Sequence, residues 1–309
     1  MSKVYDVIVL GAGPAGLAAG LYAGRSRLST LVIEKGKDGG QIAITDDIEN
    51  YPGQIVEGES GPSLIARMTQ QCEKFGVERA SDVINEVHLD GDIKVLKSAK
   101  AEYQSKTVII ATGAFARPIG CKGEKEFMGK GVSYCATCDG AFFRNRTVAV
   151  IGGGDVAVED AVFLSRMCSK VYLIHRRGEL RAAKSLQNQL FSKENVEILW
   201  NMQAQAIEGN GTVERLILSE NGTGKKKELS VQGVFIAVGI QPETKAFEGI
   251  VNMEQGYIKA EEEGITSAPG IFAAGDARTK KLRQIVTATA DGANAVTSAE
   301  QYLSDLKRG

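Results

Sequence analysis

The same strand–turn–helix–strand pattern occurs twice in the chain, 141 residues apart. Val7-Ile8-Val9-Leu10 reads as a strand, and Gly11-Ala12-Gly13-Pro14-Ala15-Gly16 follows at once. A helix-like stretch then runs from Leu17 to about Arg25, and Leu31-Val32-Ile33 reads as a second strand closed by Glu34. Val148-Ala149-Val150-Ile151, Gly152-Gly153-Gly154-Asp155-Val156-Ala157, a helix-like run from Asp160 to Met167 and Val171-Tyr172-Leu173-Ile174 repeat that order, with His175 where Glu34 stands. In each copy the closing residue lies 23 places after the first glycine. One G-x-G-x-x-G arises easily by chance. Two, each between an apolar strand and a helix, are the pattern of two βαβ nucleotide-binding units.

Each glycine position has its own reason. Gly11 and Gly152 permit the tight turn, Gly13 and Gly154 let backbone approach a pyrophosphate, and Gly16 and Ala157 let helix and strand pack closely. The phosphates then meet the open N–H groups of a helix N-terminus, where the dipole favours negative charge.

The ends of the second strands separate the two units. Glu34 accepts hydrogen bonds from a ribose diol, which suits an adenosine without a 2′-phosphate. In the second unit, His175-Arg176-Arg177, with Arg181 nearby, offers guanidinium groups that bind a 2′-phosphate bidentately. The first site is therefore read as FAD and the second as NADPH, with the arginines as the main phosphate ligands because a histidine in that place is as easily packed inside. Gly40-Gln41, Asn50 in the turn Glu49–Gly53, and the carboxylate of Asp276 after the strand-like Gly270–Ala274 lie on polar segments of the flavin half. Arg283 and Gln284 open an alanine-rich helix running to about Tyr302, whose N-terminus favours the charge a flavin gains on reduction. Lys35, next to Glu34, is counted with this set.

The two apolar strands at residues 107–113 and 234–239, followed by Pro118 and Pro242, mark two crossings of the chain. They predict an α/β fold of two Rossmann-like, three-layer ββα-type domains. An NADPH domain at 116–241 is inserted into a discontinuous FAD domain at 1–115 and 242–309. A helix is expected between Ser60 and Phe75, and short strands between Val83 and Tyr103.

Charge and composition exclude other classes. The 37 basic and 38 acidic residues leave a net charge of −1, which argues against a nucleic-acid binder driven by phosphate neutralisation. No apolar run approaches the ~20 residues of a membrane span, and Met1 to Val4 lacks a signal-peptide layout, so a cytoplasmic location is expected. Five cysteines, an odd number, do not make a secreted disulfide framework.

Among them, Cys135-Ala136-Thr137-Cys138-Asp139 stands just before the second nucleotide unit. Thiols two residues apart form a disulfide at low strain, and the spacing also serves to lower a thiol pKa. Zinc would need four ligands, and the chain has no second close cysteine pair and only His88 and His175. A redox pair is the better reading, with Asp139 as candidate general acid/base. Cys72 and Cys168 are expected in the core, and Cys121 lies in a charged loop. Flavin, nicotinamide and dithiol on one chain make a relay, since nicotinamide gives a hydride whereas a disulfide opens by thiolate chemistry.

With these residues in view, the sequence resembles the low-molecular-weight, bacterial-type NADPH–thioredoxin reductases along essentially its whole length. The likeness rests on the first glycine turn, Gly40-Gln41, Glu49-Asn50-Tyr51-Pro52-Gly53, Cys135–Gly140, Gly152–Asp155, His175-Arg176-Arg177 with Arg181-Ala182, Gly275-Asp276 and Arg283-Gln284. It implies a homodimer with tightly held FAD, Cys138 as the thiol nearest the flavin, Asp139 as proton donor, and thioredoxin as substrate. It also implies an NADPH domain that rotates against the FAD domain on linkers near 114–118 and 239–243. Val156 and Gly178 depart from the family, which usually has serine and an acidic residue there. Two rival readings remain. A ferredoxin-fed thioredoxin reductase would have lost the second nucleotide signature, and a non-catalytic redox sensor would have no need of the dithiol.

Overall fold

The computed structural model describes residues 3–45, 48–55 and 58–308; Met1 and Gly309, the outer limits expected for the discontinuous domain, lie outside the described residues. The chain divides into two compact units, Met1–Phe115 with Gln241–Gly309, and Ala116–Ile240.

Unit 1 begins with strand β1 (Val4–Leu10), helix α1 (Pro14–Arg25) and strand β2 (Thr30–Glu34). Helix α2 (Gly61–Lys74) follows, its N-terminus capped by Ser60, whose hydroxyl accepts the Ser63 N–H. Strands β3 (Glu78–Ser81), β4 (Ile84–His88), β5 (Lys94–Ser98) and β6 (Glu102–Ile110) complete its first part. The sheet order is β3-β2-β1-β6-β5-β4. The β3-β2-β1-β6 portion is parallel, whereas β4, β5 and the first half of β6 form an antiparallel meander.

The strand β7 (Ala114–Ala116) leads out of unit 1. Unit 2 starts at β8 (Val132–Ser133) and the single-turn helix α3 (Ala136–Asp139). Strand β9 (Thr147–Gly152), helix α4 (Asp155–Leu164), strand β10 (Lys170–Ile174), helix α5 (Lys184–Phe191) and strand β11 (Val196–Leu199) come next. Three antiparallel strands, β12 (Met202–Glu208), β13 (Arg215–Glu220) and β14 (Lys226–Ser230), precede β15 (Gly233–Ala237). The main sheet, β11-β10-β9-β15-β8, is parallel throughout. Strand β16 (Ile240–Pro242) pairs with β7, so the two crossings run as one ribbon.

Back in unit 1, the hairpin β17 (Met253–Glu254) and β18 (Tyr257–Ile258) leads to β19 (Ile271–Ala273), which pairs in parallel with the last three residues of β6. Helix α6 (Ile285–Leu306) closes the fold.

Both parallel sheets are covered on both faces, which is why their strands read as continuous apolar runs rather than alternating ones. In unit 1, Val7, Val9, Val32 and Ile109 face α1, α2 and α6, and Ile8, Leu10, Leu31 and Ile110 face the meander and the segment around Phe247 and Val251. In unit 2, Val148, Val150, Leu173 and Phe235 face α4 and α5, while Ala149, Ile151, Ile174 and Ile236 pack on the Leu216, Leu218 and Leu229 face of the meander. Each such valine, leucine, isoleucine or phenylalanine contributes ~1.5–3 kcal/mol by leaving water. Both units are thus the three-layer α/β arrangement expected. Cys72 and Cys168 are buried in these cores. Among the described residues, no helix is long and apolar enough to cross a membrane.

Helix boundaries shift from the sequence reading. Helix α1 starts at Pro14 rather than Leu17, and α4 at Asp155 rather than Asp160. In both cases the glycine turn runs directly into the helix, with Gly13 and Gly154 as N-caps.

Candidate functional site

The glycines divide by what a side chain would meet. At Gly11, where φ is +104°, a Cβ would lie 2.4 Å from the Ala111 carbonyl oxygen on the chain just beyond β6. At Gly16 it would lie 1.8 Å from the Gly11 oxygen. Gly152 repeats the crowding, 2.4 Å from the Ala237 oxygen and 2.5 Å from the Ala157 Cβ. Gly13 and Gly154 differ: nothing approaches the first closer than 3.9 Å, and nothing lies within 4 Å of the second. These open positions are the N-caps of α1 and α4, and no side chain caps either helix. Backbone N–H groups therefore face open space at both turns, as an incoming phosphate requires.

At the first turn, Glu34 ends β2 with one carboxylate oxygen accepting the Ala12 N–H at 2.8 Å and the other the Gly36 N–H at 3.1 Å. The carboxylate is held at the mouth of the turn with lone pairs to spare. Lys35 instead forms an exposed ion pair with Glu243. Gly40 and Gln41 start a short 3₁₀ turn, and the Gln41 amide donates to the Ala114 carbonyl. The Asn50 amide donates to the Gln284 side-chain oxygen at 3.0 Å, bringing together two candidates 234 residues apart. Gln284 is also the N-cap of α6, closing a capping box with Thr287.

Asp276 follows β19 in a single turn beside the start of α6. Its Oδ1 is buried with no hydrogen-bond partner among the described residues, and so is the Nε of Arg283, whose guanidinium stacks over Tyr257 at 4.4 Å. Burial pushes the Asp276 carboxyl up, with Lys280 and Arg283 acting against it. A buried carboxylate oxygen without a donor costs ~1–3 kcal/mol, so it fits a ligand hydroxyl that supplies one.

Sequence reasoning missed the residue that holds this turn. Asp291, buried on α6, accepts the Gly275 N–H at 2.9 Å, the Arg278 Nε and Nη2 at 2.9 and 2.7 Å, and the Lys280 ammonium at 2.7 Å. The signal available was an aspartate followed by glycine in an otherwise alanine-rich helix. Gly292 packs there against Ala15 of α1, where a Cβ would lie 2.2 Å from the carbonyl oxygen.

At the second turn, Asp155 opens α4 and accepts the Ala183 N–H at 2.8 Å. The Gly153 carbonyl accepts the Arg181 N–H at 2.8 Å, so the arginine loop is tied to the glycine turn by one backbone hydrogen bond and by the Asp155 carboxylate. Arg176, Arg177 and Arg181 are exposed, and their guanidinium groups form no ion pair among the described residues. His175 sits differently. Its ring is buried beneath Gly153, Nδ1 lies 3.0 Å from the Gly152 carbonyl oxygen, and the ring meets Trp200 edge-on. Burial lowers its pKa, and Nε2 has no partner among the described residues. Its contact is with the turn itself, whereas the three arginines face outward.

Cys135 and Cys138 form a disulfide across α3, with Cα atoms 5.3 Å apart. Cys135 is the N-cap, and Asp139 is the helix's last residue. A residue missed in the sequence, Ser133, ties the two ends: its Oγ accepts the Cys135 N–H at 3.0 Å and donates to Asp139 Oδ2 at 2.5 Å. Helix α3 packs against α4, so the disulfide and the second glycine turn are joined within unit 2. Before the pair, Glu124 is buried and accepts the Ile119 and Gly120 N–H groups and the Tyr134 hydroxyl, which fixes the approach to Cys135.

The model of the pyridine nucleotide-disulphide oxidoreductase family matches residues 5–292. The thioredoxin reductase of Peptoclostridium litorale is 49% identical over 99% of each chain. That of Bacillus subtilis (strain 168) is 50% identical over 99% of this chain and 96% of its own. The crystal structure of thioredoxin reductase from Streptococcus pyogenes MGAS5005 superposes with a TM-score of 0.94 at 43% identity, covering 99% of this chain and 100% of that one. The chain therefore belongs to the pyridine nucleotide-disulphide oxidoreductases and, within them, to the thioredoxin reductase family. A flavin, a pyridine nucleotide and a redox disulfide are the working parts of such an enzyme, and both glycine turns fit a dinucleotide by their open N-caps and uncapped helices.

Proposed function

We propose that the chain is a thioredoxin-disulfide reductase, carrying electrons from NADPH through FAD to the Cys135–Cys138 disulfide and then to oxidised thioredoxin. The observation that carries this reading is the disulfide seated on α3, packed against the helix that opens at the second glycine turn, within a unit separate from the first turn.

In this reading FAD lies along unit 1. Gly11, Gly13 and Gly16 shape its pyrophosphate turn, Glu34 holds the ribose diol, and Asp276 accepts from a ribitol hydroxyl. Gly40, Gln41, Asn50, Arg283 and Gln284 line the rest, while Lys35 takes a peripheral part through Glu243. NADPH lies on unit 2, with Gly152, Gly154 and Asp155 at its pyrophosphate and Arg176, Arg177 and Arg181 at its 2′-phosphate. His175 supports the turn from below. Bound flavin accepts a hydride from nicotinamide and passes an electron pair to a disulfide. Cys138 would take up that electron pair, Asp139 would supply the proton that opening the disulfide requires, and Cys135 would attack the disulfide of thioredoxin through a mixed disulfide.

Because nicotinamide and dithiol share one unit, each must reach the single flavin in turn. The ribbon of β7 and β16 is the natural hinge, flanked by Gly113 and Gly239 with φ of +73° and +123°. The same reading carries a homodimer and a reducing, cytoplasmic setting.

The test is NADPH-dependent reduction of oxidised thioredoxin by wild type and Cys138→Ser. The variant should bleach its flavin with NADPH yet leave thioredoxin oxidised. A variant that still reduces thioredoxin, or a wild type indifferent to thioredoxin, would overturn the proposal.

A further inference from the structure

We propose that Ser133 is the positioning residue of the proton transfer at the redox pair, holding Asp139 in place through both of its protonation states. This rests on the reading of Asp139 as proton donor.

Ser133 ends β8, the edge strand of the unit 2 sheet, and is 5% exposed. Three groups surround its Oγ: the Cys135 N–H at 3.0 Å, Asp139 Oδ2 at 2.5 Å and the Cys135 carbonyl oxygen at 3.3 Å. The N–H is a fixed donor. The hydroxyl hydrogen therefore has two acceptors within reach, the carboxylate and the carbonyl. With Asp139 ionised, the hydroxyl gives its hydrogen to the charged oxygen, the shorter and stronger bond. With Asp139 protonated, the carboxyl gives its own hydrogen to Oγ, and the hydroxyl hydrogen turns to the Cys135 carbonyl. A hydroxyl has one donor and two acceptor lone pairs, so both patterns are complete without moving a heavy atom.

The step balances as follows. Two electrons, supplied by NADPH through the flavin, break the S–S bond and leave two sulfurs carrying two negative charges. The Asp139 proton makes one of them a thiol, the other remains a thiolate, and Asp139 becomes a carboxylate. The Ser133 hydroxyl then stabilises that carboxylate, while its grip on the Cys135 N–H keeps the acid in register with the pair. A purely structural serine on the Cys135 N–H would have no part in the acid's titration.

Single-turnover oxidation of the NADPH-reduced flavin by the internal disulfide, followed across pH, tests this. Ser133→Ala removes a hydrogen bond to a charged group, so the rate should fall roughly ten-fold or more. Loss of a bond to the ionised form raises the acid's pKa, so the alkaline limb should move to higher pH. Ser133→Thr keeps the hydroxyl and should restore rate and limb, with flavin content and melting temperature confirming a folded protein. In the double variant with Asp139→Asn, the alanine should cost nothing further, because both changes act through one group. Unaltered rate and limb in Ser133→Ala, a folded threonine variant behaving like alanine, or additive effects in the double variant would each overturn the inference. A normal rate in Asp139→Asn alone would instead remove the proton-donor reading beneath it. The pH dependence of alkylation of the reduced dithiol, which needs no flavin turnover, should shift to lower pH with Ser133→Ala, because an acid that holds its proton more tightly places less negative charge beside the sulfur, and an unmoved profile would overturn the inference.

Discussion

One carboxylate, Asp291, satisfies a backbone N–H and two buried cations at once. Truncating it to alanine leaves Arg278 and Lys280 charged, buried and unpaired, a change that costs ~3–5 kcal/mol. Calorimetry should show a melting temperature lower by roughly 10 °C. Flavin should also be lost on dilution, since the Gly275-Asp276 turn is no longer held. Unchanged melting and flavin content would show the cluster is incidental. At the second site, Arg176→Ala with Arg177→Ala should raise the KM for NADPH at least ten-fold and that for NADH little, because each guanidinium–phosphate bond is worth ~1.5–3 kcal/mol. Equal effects on the two coenzymes would mean the 2′-phosphate is read elsewhere. Asp160 gives a pH effect. Burial on α4, with Glu159 adding like-charge repulsion, pushes its carboxyl up to about 7. The folded state then holds a proton that the unfolded chain has already lost, so this group's contribution falls as pH rises from about 4 to about 7. Asp160→Asn should flatten that part of the stability–pH curve, measured by urea unfolding. The arginines, the cysteines and Asp139 could be read from the sequence because a local motif carries them. Asp291 and Ser133 could not, because their partners meet them only through the fold or through one rotamer.

Among the elements, the two βαβ units were legible because the physics of a phosphate turn fixes residue types at fixed spacing. The structure separates crowded from open glycines, and this yields a paired prediction. Gly154→Ala places a methyl in open space at an ordinary φ of −96°, so thermal stability should hold while the KM for NADPH rises several-fold. Gly152→Ala drives a methyl onto the Ala237 carbonyl and the Ala157 side chain, so the unit itself should lose stability. The reverse pattern in thermal melts would show that the roles of the two glycines are misread. The β12–β14 meander escaped the sequence reading. A bulge between Ala204 and Ala206 breaks the period-two pattern of β12, and only one face of the meander is apolar. The start of α4 was placed five residues late, because Val156 at its first turn is exposed and gives no amphipathic signal. Helix α6 was expected near its observed position, though Gln284 caps it rather than forming its first turn.

For the molecule as a whole, two repeats of one binding unit divide the labour. On the proposed function, one holds the flavin, and the other carries both the electron donor's site and the sulfur pair. The inserted arrangement follows from two crossings of the chain, each marked in sequence by a strand and a proline. The order of events cannot be seen in any single motif, since it depends on which groups share a body. The most direct test of the relay is an anaerobic reductive titration with flavin absorbance as the readout. Wild type should take up two electron pairs per flavin, one for the ring system and one for the disulfide, and free thiols should rise by two. Cys138→Ser should take up one pair. If wild type and variant consume the same number, the sulfur pair does not exchange electrons with the flavin, and the account fails.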